Sequence, residues 1–228
     1  MFAKHQPKIS AYARKNPDNF AAVLRFVVVT IQNRLFNCPS DCETVSEVIT
    51  GRANDATELA AQGILYGHKR GAVETIQAEK ESLFWQAEEI FYHATSEREA
   101  ASGLIALFVS IPGLGMVKAG FAAQLIYGVA GCLDSHNIAR YGIDPKRLKS
   151  DLYKNAKTYK TRQKHLNFYL DLCEQFGGCE SLWNSWCEHL AIASKEDKTG
   201  IRMNGNKPLY ENADHVSALH CVALGVEP

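Results

Sequence analysis

Two glycines, a lysine and a carboxylate carry the chemistry this chain could do. Residues 111 to 137 read IPGLGMVKAGFAAQLIYGVAGCLDSHN. Pro112-Gly113-Leu114-Gly115 separates two helical runs. Glycines at such a corner permit positive φ and leave backbone N–H groups uncovered by Cβ atoms. Those amides, together with the N-terminus of the next helix, suit a phosphate. Lys118, in the first turn of that helix, adds a positive charge. Asp134 follows apolar Cys132 and Leu133 and opens a further helix, a position where aspartate is among the best N-caps. Three roles fit the spacing: a helix–helix corner, a loop that grips a ligand, or half of an active site.

The elements that must position these groups read as helices. Asn16 and Pro17 form an N-cap and first-position pair that opens a helix reaching the QNRLF segment. Its β-branched run, Val27 to Thr30, could mimic a strand, but the length of the pattern favours a buried helix. A short helix over 41–51 follows. The pattern from Asp55 to His93 is helical, with breaks expected near Gly67 and Gly71. Ser96 and Glu99 form a capping-box signature for a helix that runs into Pro112. After the glycine corner comes AGFAAQLIYG, rich in small residues that allow close packing. Asp144-Pro145 opens a long polar helix to about Gln175, which Gly177 and Gly178 stop. A helix from Cys179, a loop-like tail from Lys195 and a closing helix capped by Asn212 complete the chain. No internal repeat, low-complexity segment or interdomain linker interrupts it. The expected class is all-α, with residues 1–228 as a single domain.

Composition narrows the class further. With 46% hydrophobic and 22% charged residues in 228, the chain has the balance of a folded globular protein. Lys plus Arg equals Asp plus Glu at 25 each, so overall charge announces no polyanionic partner. The distribution is uneven: Lys146, Arg147, Lys149, Lys154, Lys157, Lys160, Arg162 and Lys164 stand against Asp151 alone, with Tyr153 and Tyr159 interleaved. Such a run is a solvated helical face or a phosphate-backbone track. The longest apolar stretches fall short of the roughly 20 residues that span a bilayer. No membrane partner and no leader peptide are expected. Seven cysteines without dense spacing point to a reduced compartment, and the localisation expected is cytoplasmic.

Taken together, IPGLGMVKAGFAAQLIYG and GCLDSHNIARYG resemble the core signature of the helix-hairpin-helix, Gly/Pro-rich-loop-and-Asp superfamily of DNA glycosylases. The residues that carry the likeness are Pro112, Gly113, Gly115, Ala119, Gly128, Gly131, Asp134, His136, Asn137 and Arg140. The resemblance implies a compact, two-lobed helical fold, with the helix-hairpin-helix over 98–128 and the Gly loop and Asp over 128–142. It implies an enzyme acting on a base or modified base in double-stranded DNA. Pro112, Gly113, Leu114, Gly115 and Lys118 would grip a phosphate, a contact that positions without reading sequence. Asp134 would face the sugar of a flipped-out nucleotide and stabilise an oxocarbenium-like transition state. His136, Asn137 and Arg140 would stand at the helix start beside it, and Asp134 and Lys118 are the candidate catalytic residues.

Departures from the family pattern shape the expectation. Bifunctional members carry a lysine nucleophile two positions after the second hairpin glycine. Val117 stands there, and Lys118 lies one residue on, rotated by about 100° on a helix. A monofunctional reaction is therefore expected, without a Schiff base. Some members bind a four-cysteine iron–sulfur cluster, but the spacings of Cys173, Cys179, Cys187 and Cys221 do not match, and neither metal nor cofactor is expected. His189, His215 and His220 likewise lack the close partners of a zinc site. The likeness is to compact, phage-type members, some of which act on hypermodified thymines. Alternatives are a non-catalytic DNA-binding or virion-associated protein that keeps the fold, and a helical interaction protein. A monomer is favoured.

Overall fold

The structure is a computed structural model, and it describes residues 2–30, 67–185, 203–204 and 207–208. The chain opens with α1 (Phe2–Ala13) and α2 (Pro17–Thr30). The start of α2 is capped as its sequence predicts, the Asn19 N–H donating to Asn16 Oδ1 at 2.9 Å. Phe20 to Val28 are all buried, so the β-branched residues sit within a helix sunk in the core.

Next come α3 (Gly67–Ala78) and α4 (Lys80–His93). The break expected at Gly71 does not occur, and the chain turns at Glu79 instead. A mid-helix glycine costs only about 1 kcal/mol against alanine. Burial of Ala72, Val73 and Ile76 against α2 offsets that easily. The following helix, α5 (Glu97–Ser110), carries its capping box: Ser96 Oγ accepts from the Glu99 N–H at 3.2 Å. The Glu99 carboxylate reaches back one residue further than the usual pattern, to the Thr95 N–H at 2.8 Å.

The helix α6 (Met116–Tyr127) lies at the centre, packed by α5, α1 and α2. Every residue from Ala119 to Tyr127 is buried, as expected of a helix that is apolar on all sides. Beyond it are α7 (Ser135–Arg140), a 3₁₀ turn (Pro145–Leu148), α8 (Ser150–Lys154) and α9 (Tyr159–Gln175). The single long helix expected from Asp144 to Gln175 is thus three pieces. Asp144 caps only the 3₁₀ turn, and α9 has its own cap, Thr158 Oγ1 accepting from the Thr161 N–H at 3.2 Å. Between Lys149 and Thr158 only Ala156 is buried among residues with described side chains, too little apolar surface to hold a continuous helix in water.

Residues 178–185 form a last described helix, α10, after the expected stop at Gly177 and Gly178. Met203–Asn204 and Lys207–Pro208 pair as a two-residue antiparallel ladder. With that exception the described residues are all-α, as the sequence predicts. One hydrophobic cluster joins them, from Ile9 and Phe20 through Phe108 and Phe121 to Tyr169 and Trp183. No helix among them is long and apolar enough to cross a membrane. The helices expected over 41–51 and from Asn212, and the segments 31–66 and 186–202, lie outside the described residues.

Candidate functional site: a glycine hairpin and a pinned loop

The corner between α5 and α6 is a tight turn. The Leu114 N–H donates to the Ile111 carbonyl at 3.1 Å, with Pro112 and Gly113 between them. Gly113 has φ 86°, so this is a type II arrangement: proline at the second position and a residue of positive φ at the third. Pro112 and Gly113 are exposed, whereas Leu114 is fully buried. The Leu114 side chain is a peg into the core, so only its backbone belongs to the outer face of the hairpin.

Gly115 is the N-cap of α6 and offers no side chain to its amides. The first-turn N–H groups of a helix so capped are left for solvent or an anion. Lys118 follows, partly buried and without a carboxylate partner among the described residues. Burial, and then the neighbouring charge of Lys154, hold its pKa below the ordinary lysine value. Lys154 ends α8, which packs on α6. The polar run thus returns to the hairpin, a meeting that spacing alone did not reveal.

The loop that joins α6 to α7 is held at nearly every residue. The Tyr169 hydroxyl donates to the Gly131 carbonyl at 2.6 Å and accepts from the Leu133 N–H at 3.4 Å. Gln124 Oε1 accepts from the Cys132 N–H at 3.1 Å, while its Nε2 donates to the Cys179 carbonyl at 2.8 Å. Asn137 Nδ2 donates to the Cys132 carbonyl at 2.7 Å and to the Leu182 carbonyl at 3.3 Å. Each bond satisfies a buried backbone group that would otherwise be left unpaired. Ala130, within the loop, has φ 61°, a strained value for a residue with a Cβ.

This framework delivers Asp134 to the surface. Its Oδ1 accepts from the Asn137 N–H at 2.9 Å, so it is the N-cap of α7, and the carboxylate is only partly buried. Asn137 is placed differently from expectation. It is fully buried, and Ser185 Oγ donates to its Oδ1 at 2.6 Å. With both ends of its amide engaged inside the protein, it positions the loop and does not present a group to DNA. Arg140 is exposed at the end of α7 and donates to Ser185 Oγ at 3.2 Å. His136 is partly buried beside Asp134 in sequence.

The residues that sequence reasoning missed are Tyr169, Gln124 and Ser185. Gln124 was legible in principle, since a lone amide inside AGFAAQLIYG must find internal partners. Cys132, Cys173 and Cys179 are buried, and burial is the largest cause raising all three thiols above their ordinary values. No group of three potential metal ligands occurs among the described residues. Compared with family models, curated proteins and solved structures, the chain matches none. What fold and site define together is an all-α protein that holds a glycine hairpin and a surface carboxylate on one buried scaffold.

Proposed function

We propose that this protein binds the phosphate backbone of double-stranded DNA through the α5–α6 hairpin and acts on a flipped-out base through Asp134. The observation that carries the binding reading is the meeting of Lys118 with Lys154 behind the uncapped N-terminus of α6. Two ammonium groups close together, next to amides that no side chain caps, suit the phosphodiesters of a nucleic-acid backbone. The exposed Lys146, Arg147, Lys149, Lys157, Lys160 and Lys164 extend that positive surface.

For the reaction, Asp134 supplies a carboxylate on a scaffold that cannot easily shift. A fixed negative charge beside C1′ of a rotated nucleotide stabilises positive charge developing on the sugar as the N-glycosidic bond lengthens. Val117 in place of a lysine leaves the reaction without a Schiff base. A binding protein that keeps the hairpin without the chemistry is the second reading, favoured by the capping hydrogen bond that Asp134 already makes.

The test uses duplex oligonucleotides carrying a panel of modified bases. Wild-type protein is expected to bind at low salt with an affinity that falls steeply as salt rises, and Lys118→Ala is expected to lower that slope by about one. Base release abolished in Asp134→Asn with binding retained supports catalysis. Binding without release on any substrate leaves the second reading, and no binding at low salt removes both.

A further inference from the structure

Beyond the hairpin, the basic run displays an aromatic side chain that the core does not use. Tyr159 is 77% exposed at the first position of α9. Its neighbours Lys157 and Lys160 are exposed, and Tyr153 lies close enough to feel both Tyr159 and Arg162. Beside it runs an open trough of about 640 Å³ rimmed by Lys160 and Lys164, with Asn167, Phe168 and Asp171 in its wall, the Asp171 carboxylate being paired with Arg98 at 2.7 Å. The guanidinium of Arg147 lies 3.9 Å from the centre of the Phe168 ring, so Phe168 is already covered while Tyr159 is not.

An exposed tyrosine among lysines is a poor core residue and a good stacking platform. Every base has a π-face, but in an intact duplex both faces are stacked on neighbours. Only an unpaired or displaced base can lie on a tyrosine ring, while lysines alongside neutralise its phosphates. We propose that Tyr159 stacks on an unpaired base, so that the protein prefers DNA with a gap, bulge or single-stranded end to an uninterrupted duplex. The trough rimmed by Lys160 and Lys164 takes the backbone next to that base. Resting on the DNA-binding reading above, this assigns it a structural preference and a residue that creates the preference.

The experiment compares an intact duplex, the same duplex with a single-nucleotide bulge of 2-aminopurine, and a single strand of the same sequence. Wild type is expected to bind the bulged and single-stranded probes about tenfold or more tighter than Tyr159→Ala does, the range that one lost base stack represents. It is also expected to quench the 2-aminopurine, and Tyr159→Phe is expected to behave as wild type, since stacking needs the ring and not the hydroxyl. Binding to the intact duplex is expected to be the same in all three proteins. Equal loss on all probes, or a loss in Tyr159→Phe as large as in Tyr159→Ala, overturns the proposal while leaving hairpin binding intact. If wild type binds none of the probes at low salt, the DNA-binding reading fails first and this one falls with it. Tyr159 is solvent-facing, so its variants are expected to melt with wild type, which thermal unfolding checks.

Discussion

The Tyr169 hydroxyl donates to the carbonyl of Gly131 at 2.6 Å, tying the middle of α9 to the loop three residues before Asp134. The ring is completely buried, and burial drives its pKa well above the ordinary tyrosine value. The hydroxyl therefore stays neutral, and a donor, above the pH at which an ordinary tyrosine ionises. Tyr169→Phe keeps the ring and deletes the bond, leaving the Gly131 carbonyl with only the weak Cys173 thiol donor at 3.9 Å and the Leu133 N–H without its acceptor. The expected loss is about 1–3 kcal/mol by urea denaturation. A variant as stable as wild type would show that the tyrosine only fills space.

Gly120 explains how the loop comes so close to α6. A Cβ built there would stand 2.2 Å from Tyr169 Oη and 2.7 Å from the Gly131 oxygen, the two ends of that same hydrogen bond. One neighbour is backbone and the other is fixed, so neither gives way cheaply. Gly120→Ala is expected to destabilise by roughly 1–3 kcal/mol, as overpacking does. Gly71→Ala is the control: a Cβ there meets nothing within 4 Å, and alanine is the better helix former. That substitution is expected to stabilise by about 0.5–1 kcal/mol. Thermal melts of both variants read the opposite signs directly.

Local signals in the sequence located what local physics decides. Asn16, Ser96 and Gly113 act where their chemistry is short-ranged, and the structure places caps and turn there. Asp134 is the N-cap of the helix that follows it, the capping position its residue type favours. What spacing could not reveal depends on partners distant in the chain. Asn137 reads as a helix-start polar residue, yet it is consumed by Cys132, Leu182 and Ser185. The split of the expected long helix after Asp144 is another case, because apolar content and not polarity determines whether a helix is held. Lys154 meets Lys118 only because α8 folds back on α6.

Asp134 caps α7, and the proposed reaction gives it a second duty that substitutions can separate from the first. Asparagine also caps helices well, so Asp134→Asn is expected to keep the bond from the Asn137 N–H and lose less than about 0.5 kcal/mol. Asp134→Ala is expected to lose about 1 kcal/mol with the cap. Any catalytic contribution behaves the other way, since both variants lack the charge. Stability that separates the two, with base release absent in both, is the expected pattern. Base release that survives in Asp134→Asn would make the residue a cap alone.

Phosphate binding at Lys118, as proposed, is expected to depend on pH. In the free protein its pKa lies below 10.5, from burial first and from Lys154 second. A bound phosphate favours the ammonium and raises that pKa again. Between the lowered free value and the raised bound value, binding takes up a proton, so affinity falls as pH rises through the interval. Below it Lys118 is charged in both states and this dependence vanishes. Lys118→Arg keeps its charge throughout, because arginine does not deprotonate in this range. Duplex binding measured at constant salt across the alkaline range is therefore expected to weaken earlier in wild type than in Lys118→Arg. Superimposable profiles would mean that no phosphate sits at Lys118, and would move the backbone contact elsewhere on the basic run.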